Sequence, residues 1–185
     1  MKKNKDSLGF IRELKMLGNA RIVAFTGLFA AATTVLAFLA KNFLNFGAIR
    51  ITFECVPIFL SSFLFGPLIG SITALTADLI SCVITGMAPI PLVTIGAISV
   101  GLVSGLLFKY IIKNINLKIS IPISVFFSHI IGSMIIKSIG LFPFFGSAVY
   151  FRIPLYLCIS LVESIILTMI MKNRGFTNQI GRILK

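Results

Sequence analysis

The stretch from Cys55 to Thr85 carries one charged residue, Asp78, and is far longer than the roughly twenty residues a single transmembrane helix needs. As one span it would also carry that acid through lipid. Phe65-Gly66-Pro67, in its middle, is a turn signal, so the sequence predicts a tight hairpin between two spans. The chain is built for a bilayer. Its residues are 57% hydrophobic and only 12% charged, about half the charge of an average soluble chain, and the mean hydropathy is +1.05.

Six spans are expected, at about 22–40, 54–66, 68–86, 92–112, 119–138 and 150–171, the second of them short. They divide the chain into a tail over 1–21, a six-helix transmembrane bundle over 22–171 and a tail over 172–185. Pro89 and Pro91 punctuate the loop before the fourth span, and Pro122 sits in the first turn of the fifth, where a missing N–H costs little. The amino terminus is basic and then apolar like a secretory signal, but 22–40 is long enough to span and Lys41 follows without a small-residue cleavage pattern, so it reads as an uncleaved first span.

Orientation follows from lysine and arginine placement. Most basic residues fall in the two tails and in the loop 109–118, among them Lys2, Lys3, Lys5, Lys109, Lys113, Lys118, Lys172, Arg174 and Lys185. That side is expected to be cytoplasmic, with both termini, in a multi-pass protein of the cell membrane. The net charge of +12 is then a topology signal and an attraction to anionic membrane lipids. No aromatic-basic motif accompanies it, so nucleic acid is not an expected partner.

Lys41, Arg50, Lys137 and Arg152 fall at the opposite ends of spans, against the positive-inside bias. Snorkelling to the interface is one explanation, best suited to Lys41 and open for Lys137. Arg50 and Arg152 lie beside Phe53 and beside Tyr150 and Phe151, which offer pocket walls. Of the five acids, Glu54, Asp78 and Glu163 fall inside predicted spans. Each costs roughly 2.5–3.5 kcal/mol at a helix centre and should face the bundle interior or a wet cavity. On a helix, Arg50 and Glu54 would share a face and either neutralise one another or line a cavity mouth. Thr73, Thr76 and Ser81 are the expected partners of Asp78, and Arg152 stands too far along the helix from Glu163 for a direct pair. His129, the only histidine, lies near Ser128 and Ser133 and reads as a hydrogen-bonded core residue. Cys55, Cys82 and Cys158 show no metal-ligand spacing and no disulfide framework, so they read as core residues. Neither a cofactor nor a metal is expected.

There is no G-x-x-x-x-G-K-[ST] loop, no H-E-x-x-H and no G-x-S-x-G, which excludes the familiar ATP-hydrolysing and hydrolytic engines. No inverted repeat pairs the two halves, so energy for any transport is expected from another subunit. The first span offers that subunit a place. Gly27 and Ala31 are four apart, with Ala20 and Ala24 at the same interval, and small residues so spaced let a helix backbone approach closely, from a partner or from within the bundle.

RITFECVPIFLSSFLFGPLIGSITALTADLIS resembles the R-I-x-F-x-x-[IV]-P-I…L-F-G-P-x-x-G…A-D pattern of folate-type S components, the substrate-binding subunits of energy-coupling factor (ECF) vitamin transporters. PIPLVTIGAISVGLVSGLLFKY resembles the loop and fourth helix of the same group, and the similarity runs from about 22 to 171. The resemblance implies an all-α bundle of six transmembrane helices with an outward-facing pocket, and no enzymatic activity. It implies a transmembrane T component that packs on the small-residue motif, here Gly27 and Ala31, and two cytoplasmic ATPase subunits that drive release inside. Folate is the first-choice ligand, with pantothenate, thiamine or a similar vitamin as the alternative. The site residues then implied are Arg50, Phe53, Glu54, Asp78, Lys137, Tyr150 and Arg152, with Phe46 and Phe144 as further wall candidates. A small membrane enzyme acting on a lipid through Asp78, Glu163 and His129 is the reading from another class.

Overall fold

The structure is a computed structural model and describes residues 13–43, 45–46, 49–50, 52–112 and 114–183, with backbone alone at 45–46, 49–50 and 182–183. Lys2, Lys3, Lys5, Lys113 and Lys185 lie outside it, as do the side chains of Phe46 and Arg50.

Helix α1 (Ala20–Phe43) starts where Asn19 accepts the Arg21 N–H at 3.0 Å, the usual work of an N-capping asparagine. Its inner face repeats every three or four residues through Ile22, Thr26, Ala30, Thr33, Ala37 and Ala40. Two short strands follow, β1 (Asn45–Phe46) and β2 (Ile49–Arg50), antiparallel with Asn45 opposite Arg50. Arg50 is therefore in a strand, and the shared helical face expected for Arg50 and Glu54 does not exist. The Thr52 hydroxyl accepts the Glu54 N–H at 3.1 Å, and the next helix begins only after that turn.

Helix α2 (Cys55–Phe65) is the post of the bundle: every residue but Leu64 is buried. Phe59 and Phe63 stack along it, and Phe63 meets Phe108 at 4.3 Å between ring centroids. At 11 residues it rises only about 16 Å. The expected hairpin is present. Gly66 takes φ +116°, a conformation open to glycine, and Pro67 opens α3 (Pro67–Thr85). Helix α4 (Pro91–Leu106) runs on through a π-helical turn, Leu107–Ile111. It crosses α3 so closely that a Cβ on Gly101 would stand 2.5 Å from the Gly70 carbonyl oxygen.

The remainder is helical almost without pause: α5 (Leu117–Ser128), a π-helical segment His129–Ile136, α6 (Lys137–Phe145), a 3₁₀ turn Gly146–Phe151, α7 (Arg152–Lys172) and α8 (Arg174–Ile183). The 3₁₀ turn reverses the chain, so that α5 packs along α7. The fifth span is expected to end at 138, but helix runs on to Phe145, and Lys137 is buried within the bundle rather than at an interface. Among the described residues, four stretches are long and apolar enough to cross a membrane: Ala20–Phe43, Pro67–Thr85, Pro91–Ile111 and the 56 residues Leu117–Lys172.

One acid that the sequence did not single out fastens the amino-terminal segment to the bundle. Glu13 is buried and accepts hydrogen bonds from the Leu68 N–H at 3.1 Å and the Tyr110 hydroxyl at 2.7 Å, with Lys109 at 3.9 Å. It thereby satisfies an N–H in the first turn of α3 that no helical carbonyl reaches.

Candidate functional site

At the end of α2 opposite the Gly66-Pro67 hairpin, a cavity of about 490 Å³ opens between α1, α3, α4, α6 and α7. That size is ordinary for a small-molecule site. Small side chains make the room: Ala37 on α1, Ala74 and Ala77 on α3 and Ala97 on α4 line it, where larger residues would fill it. Its charged groups are two acids, Glu54 and Asp78, and three cations, Lys41, Lys137 and Arg152.

Glu54 sits at the N-terminal end of α2, whose partial positive charge favours a carboxylate. The Thr52 hydroxyl donates to its Oε2 at 3.2 Å, and Lys137 Nζ lies 3.9 Å from its Oε1. Glu54 and Lys137 are each only 7% exposed. Lys137 is thus a buried partner and does not snorkel. Asp78 accepts from the Thr94 hydroxyl of α4 at 2.6 Å. The expected partners Thr73 and Thr76 are engaged elsewhere: Thr73 bonds Ser61 and the Ile69 carbonyl, and Thr76 bonds the carbonyls of Ile72 and Thr73. In an apolar helix a threonine hydroxyl meets its own preceding turn first, which sequence proximity alone does not reveal.

Arg152 opens α7. Its Nη2 donates to the Tyr156 hydroxyl at 3.1 Å, and its guanidinium carbon stands 5.3 Å from the Tyr156 ring centroid. Its Nε–H is buried without a hydrogen-bond partner among the described residues. Lys41, the last basic residue of α1, directs Nζ to Met87 Sδ at 3.2 Å and lines the cavity.

The fold therefore brings together Glu54, Asp78, Lys137 and Arg152, with Phe144 on the wall. Phe53 packs half-buried against the hydrophobic core, and Tyr150 is 63% exposed and meets Phe142; neither lines the cavity. Arg50 belongs to β2, and its side chain is outside the described residues. Lining residues that sequence reasoning passed over include Thr33, Tyr156 and Phe145. Tyr156 had a signal, since it stands four residues after Arg152 on one helix.

Two further groups lie away from the cavity lining. His129 and Glu163 are fully buried, with Nε2 and Oε2 2.6 Å apart, and Ser133 Oγ is 3.1 Å from His129 Nδ1. His129 is the hydrogen-bonded core residue expected; its partner on α7 came from beyond the reach of sequence spacing. On α1, Ala20, Ala24, Gly27 and Ala31 all lie on the exposed face, and a Cβ on Gly27 would meet nothing within 4 Å. The small-residue row does not serve packing within the bundle.

A family model described as "ECF transporter, substrate-specific component" matches residues 21–184. Among solved structures the chain is similar to one described as "Structure and mechanism of the S component of a bacterial ECF transporter", with a TM-score of 0.63 and 24% sequence identity over 86% of this chain and 96% of that one. At that identity the likeness speaks for the fold. A comparison with curated proteins found no match.

Proposed function

The chain belongs to the ECF transporter family of substrate-specific components, and we propose that its cavity binds one vitamin with both hydrogen-bonding and anionic groups, folate first. Membership makes it a membrane-embedded substrate-binding transporter subunit and not an enzyme, which sets aside the lipid-modifying alternative. The family works with a T component and ATPases, so the missing nucleotide motif is explained.

The observation that carries the folate reading is the charge arrangement of the cavity. Asp78 and Glu54 lie on its α3 and α2 side, and Lys41, Lys137 and Arg152 stand about the same space, with an Arg152 Nε–H that has no acceptor among the described residues. A buried N–H of this kind costs stability until an acceptor arrives. A pterin presents paired donors suited to a carboxylate, and a glutamyl tail presents carboxylates suited to a guanidinium and ammonium groups. Aromatic Phe144, Phe145 and Tyr156 supply apolar wall. Arg50, Phe53 and Tyr150 remain proposed as contacts of a ligand-bound arrangement.

In the same reading, both termini are cytoplasmic in the cell membrane, 22–171 is the substrate-binding bundle between tails 1–21 and 172–185, and two ATPase subunits act through a T component docked on Gly27 and Ala31. Calorimetric titration of the purified chain against folate, 5-formyltetrahydrofolate, pantothenate, thiamine, riboflavin and biotin tests the ligand. Folate or its formyl derivative is expected to bind tightest. Tight binding of pantothenate or thiamine alone would transfer the site to the alternative vitamin, and no binding across the panel would overturn the reading.

A further inference from the structure

Three side chains of metal-ligating type meet inside the bundle, and the vitamin cavity uses none of them. Cys55 is the first residue of α2, His129 the first of the π-helical segment and Glu163 lies midway along α7. All three are buried, at 3%, 0% and 0% exposure, and their donor atoms, a sulfur, a ring nitrogen and a carboxylate oxygen, lie within 4.8 Å of one another. Their positions 55, 129 and 163 give no motif, so only the fold reveals the cluster.

We propose that Cys55, His129 and Glu163 form a binding site for one divalent transition-metal ion of the zinc and cobalt class, a resident ion that ties α2, the π-helical segment and α7 together beneath the vitamin cavity. The donor chemistry selects the ion. Thiolate with imidazole suits zinc and cobalt and does not suit magnesium or calcium, which take oxygen donors. Charge balance favours it as well. A thiolate and a carboxylate contribute two negative charges in an apolar interior, which a divalent cation cancels. Glu163 Oε1 is buried with no hydrogen-bond partner among the described residues, so the carboxylate has a coordination site that protein does not use.

The surroundings have the order a metal site needs. Ser133 Oγ engages His129 Nδ1 at 3.1 Å, fixing the ring and leaving Nε2 toward Glu163. Phe59 stands edge-on to the ring at 5.4 Å, and Tyr156, a cavity-lining residue, lies against it at 5.5 Å, so the path from the cavity to the cluster is one side chain deep. His129 also begins a π-helical segment, a distortion that recurs at functional sites because it re-aims side chains. Two ligands about 2.0–2.1 Å from one tetrahedral ion stand roughly 3.3 Å apart. The 2.6 Å contact between His129 and Glu163 must then widen by about 0.7 Å when the ion enters, a rotamer adjustment. Entry displaces two protons, the one on the Cys55 thiol and the one held between His129 and Glu163, while the ring keeps its Nδ1–H, donated to Ser133 Oγ, and ligates as a neutral imidazole.

The experiment uses the full chain in detergent, stripped with chelator, with Cys82 and Cys158 both changed to serine so that Cys55 is the only thiol. Cobalt(II) is titrated while the thiolate-to-cobalt charge-transfer band and proton release in weak buffer are followed, and zinc is then added in competition. One equivalent of cobalt, a thiolate band and release of about two protons are expected. Cys55→Ser should abolish the band, His129→Gln should weaken cobalt binding at least a hundredfold, and Ser133→Ala should weaken it about tenfold to a hundredfold through loss of ring orientation. A thermal melt of each variant reports whether it is folded, independently of the ligand assignment. No band in folded protein, or a cobalt affinity unmoved by both Cys55→Ser and His129→Gln, would overturn the proposal and leave His129 and Glu163 as a proton-sharing pair.

Discussion

Lys137→Met is the most informative single change for the energetics of the bundle. Lys137 Nζ and Glu54 Oε1 are 3.9 Å apart, and both residues are 7% exposed. At an effective dielectric of about 20, the Coulomb attraction over that distance is about 4 kcal/mol. Desolvation of two ions offsets much of it in the intact protein, so the pair itself contributes little net stability. Removal of one partner is a different matter, because the remaining charge keeps its desolvation cost and loses the attraction of the other. Breaking a buried pair in this way costs about 3–5 kcal/mol. For a chain of this size that corresponds to a melting temperature lower by on the order of 10 °C. Lys137→Met should show that loss in a thermal melt of the detergent-solubilised protein, and Glu54→Gln should show a comparable one. The double variant, in which both charges of the pair are gone, should recover at least half of the worse single loss. A double variant that melts as low as the sum of both single losses would refute the claim that the two charges compensate one another.

Arg152→Ala is expected to weaken folate binding at least tenfold, about 1.4 kcal/mol, with little change in melting temperature, as read by calorimetry; unchanged affinity would remove it from the site. Gly27→Trp and Ala31→Trp should block vitamin uptake by the assembled transporter yet leave binding to the isolated chain intact, because both positions face outward from α1. Loss of binding in both variants would contradict the exposed-face assignment. Gly66→Ala should lower the melting temperature by an amount equivalent to about 1–3 kcal/mol, since φ is +116° and the new Cβ would stand 2.2 Å from Glu13 Oε1.

The parts of the fold that were legible are those set by punctuation and by one helix face at a time. Phe65-Gly66-Pro67 announced the hairpin because glycine reaches the positive φ that a tight reversal needs, and proline opens a helix but cannot continue one. The small residues of α1 announced a helix face open to close approach. What the sequence hid was pairing across elements. Asp78 sits among three hydroxyls of its own helix yet bonds Thr94 of α4, and Glu163 finds His129 rather than any neighbour on α7. Arg50 and Glu54 have helical spacing but no helix, because Arg50 ends a strand and the helix starts only at Cys55, after the Thr52 turn. Glu13 drew no attention in a basic tail, although its carboxylate is more deeply buried than that of Asp78. Each miss has the same cause: a buried polar group takes the donor that tertiary packing delivers, and single-chain periodicity does not encode which one that is.

The same packing explains why a cavity exists at all in so apolar a bundle. Helix α2 is central and buried apart from Leu64, and its 11 residues rise about 16 Å, against a hydrocarbon thickness of about 30 Å. Its lower end is tied down at Gly66, where Glu13, Lys109 and Tyr110 converge. The deficit therefore accumulates above Cys55, where longer neighbours α1, α3 and α4 continue past it with alanines on their inner faces. Leucine in place of those alanines would let the neighbours close over the end of α2; alanine leaves the space open. Glu54 terminates the short helix at the floor of that space, where the helix N-terminus and Lys137 both favour its charge. Lengthening α2 by one turn of apolar residues after Glu54 should fill the cavity and abolish vitamin binding while raising the melting temperature; a lengthened chain that still binds would mean that the cavity owes its depth to something other than the shortness of its central post.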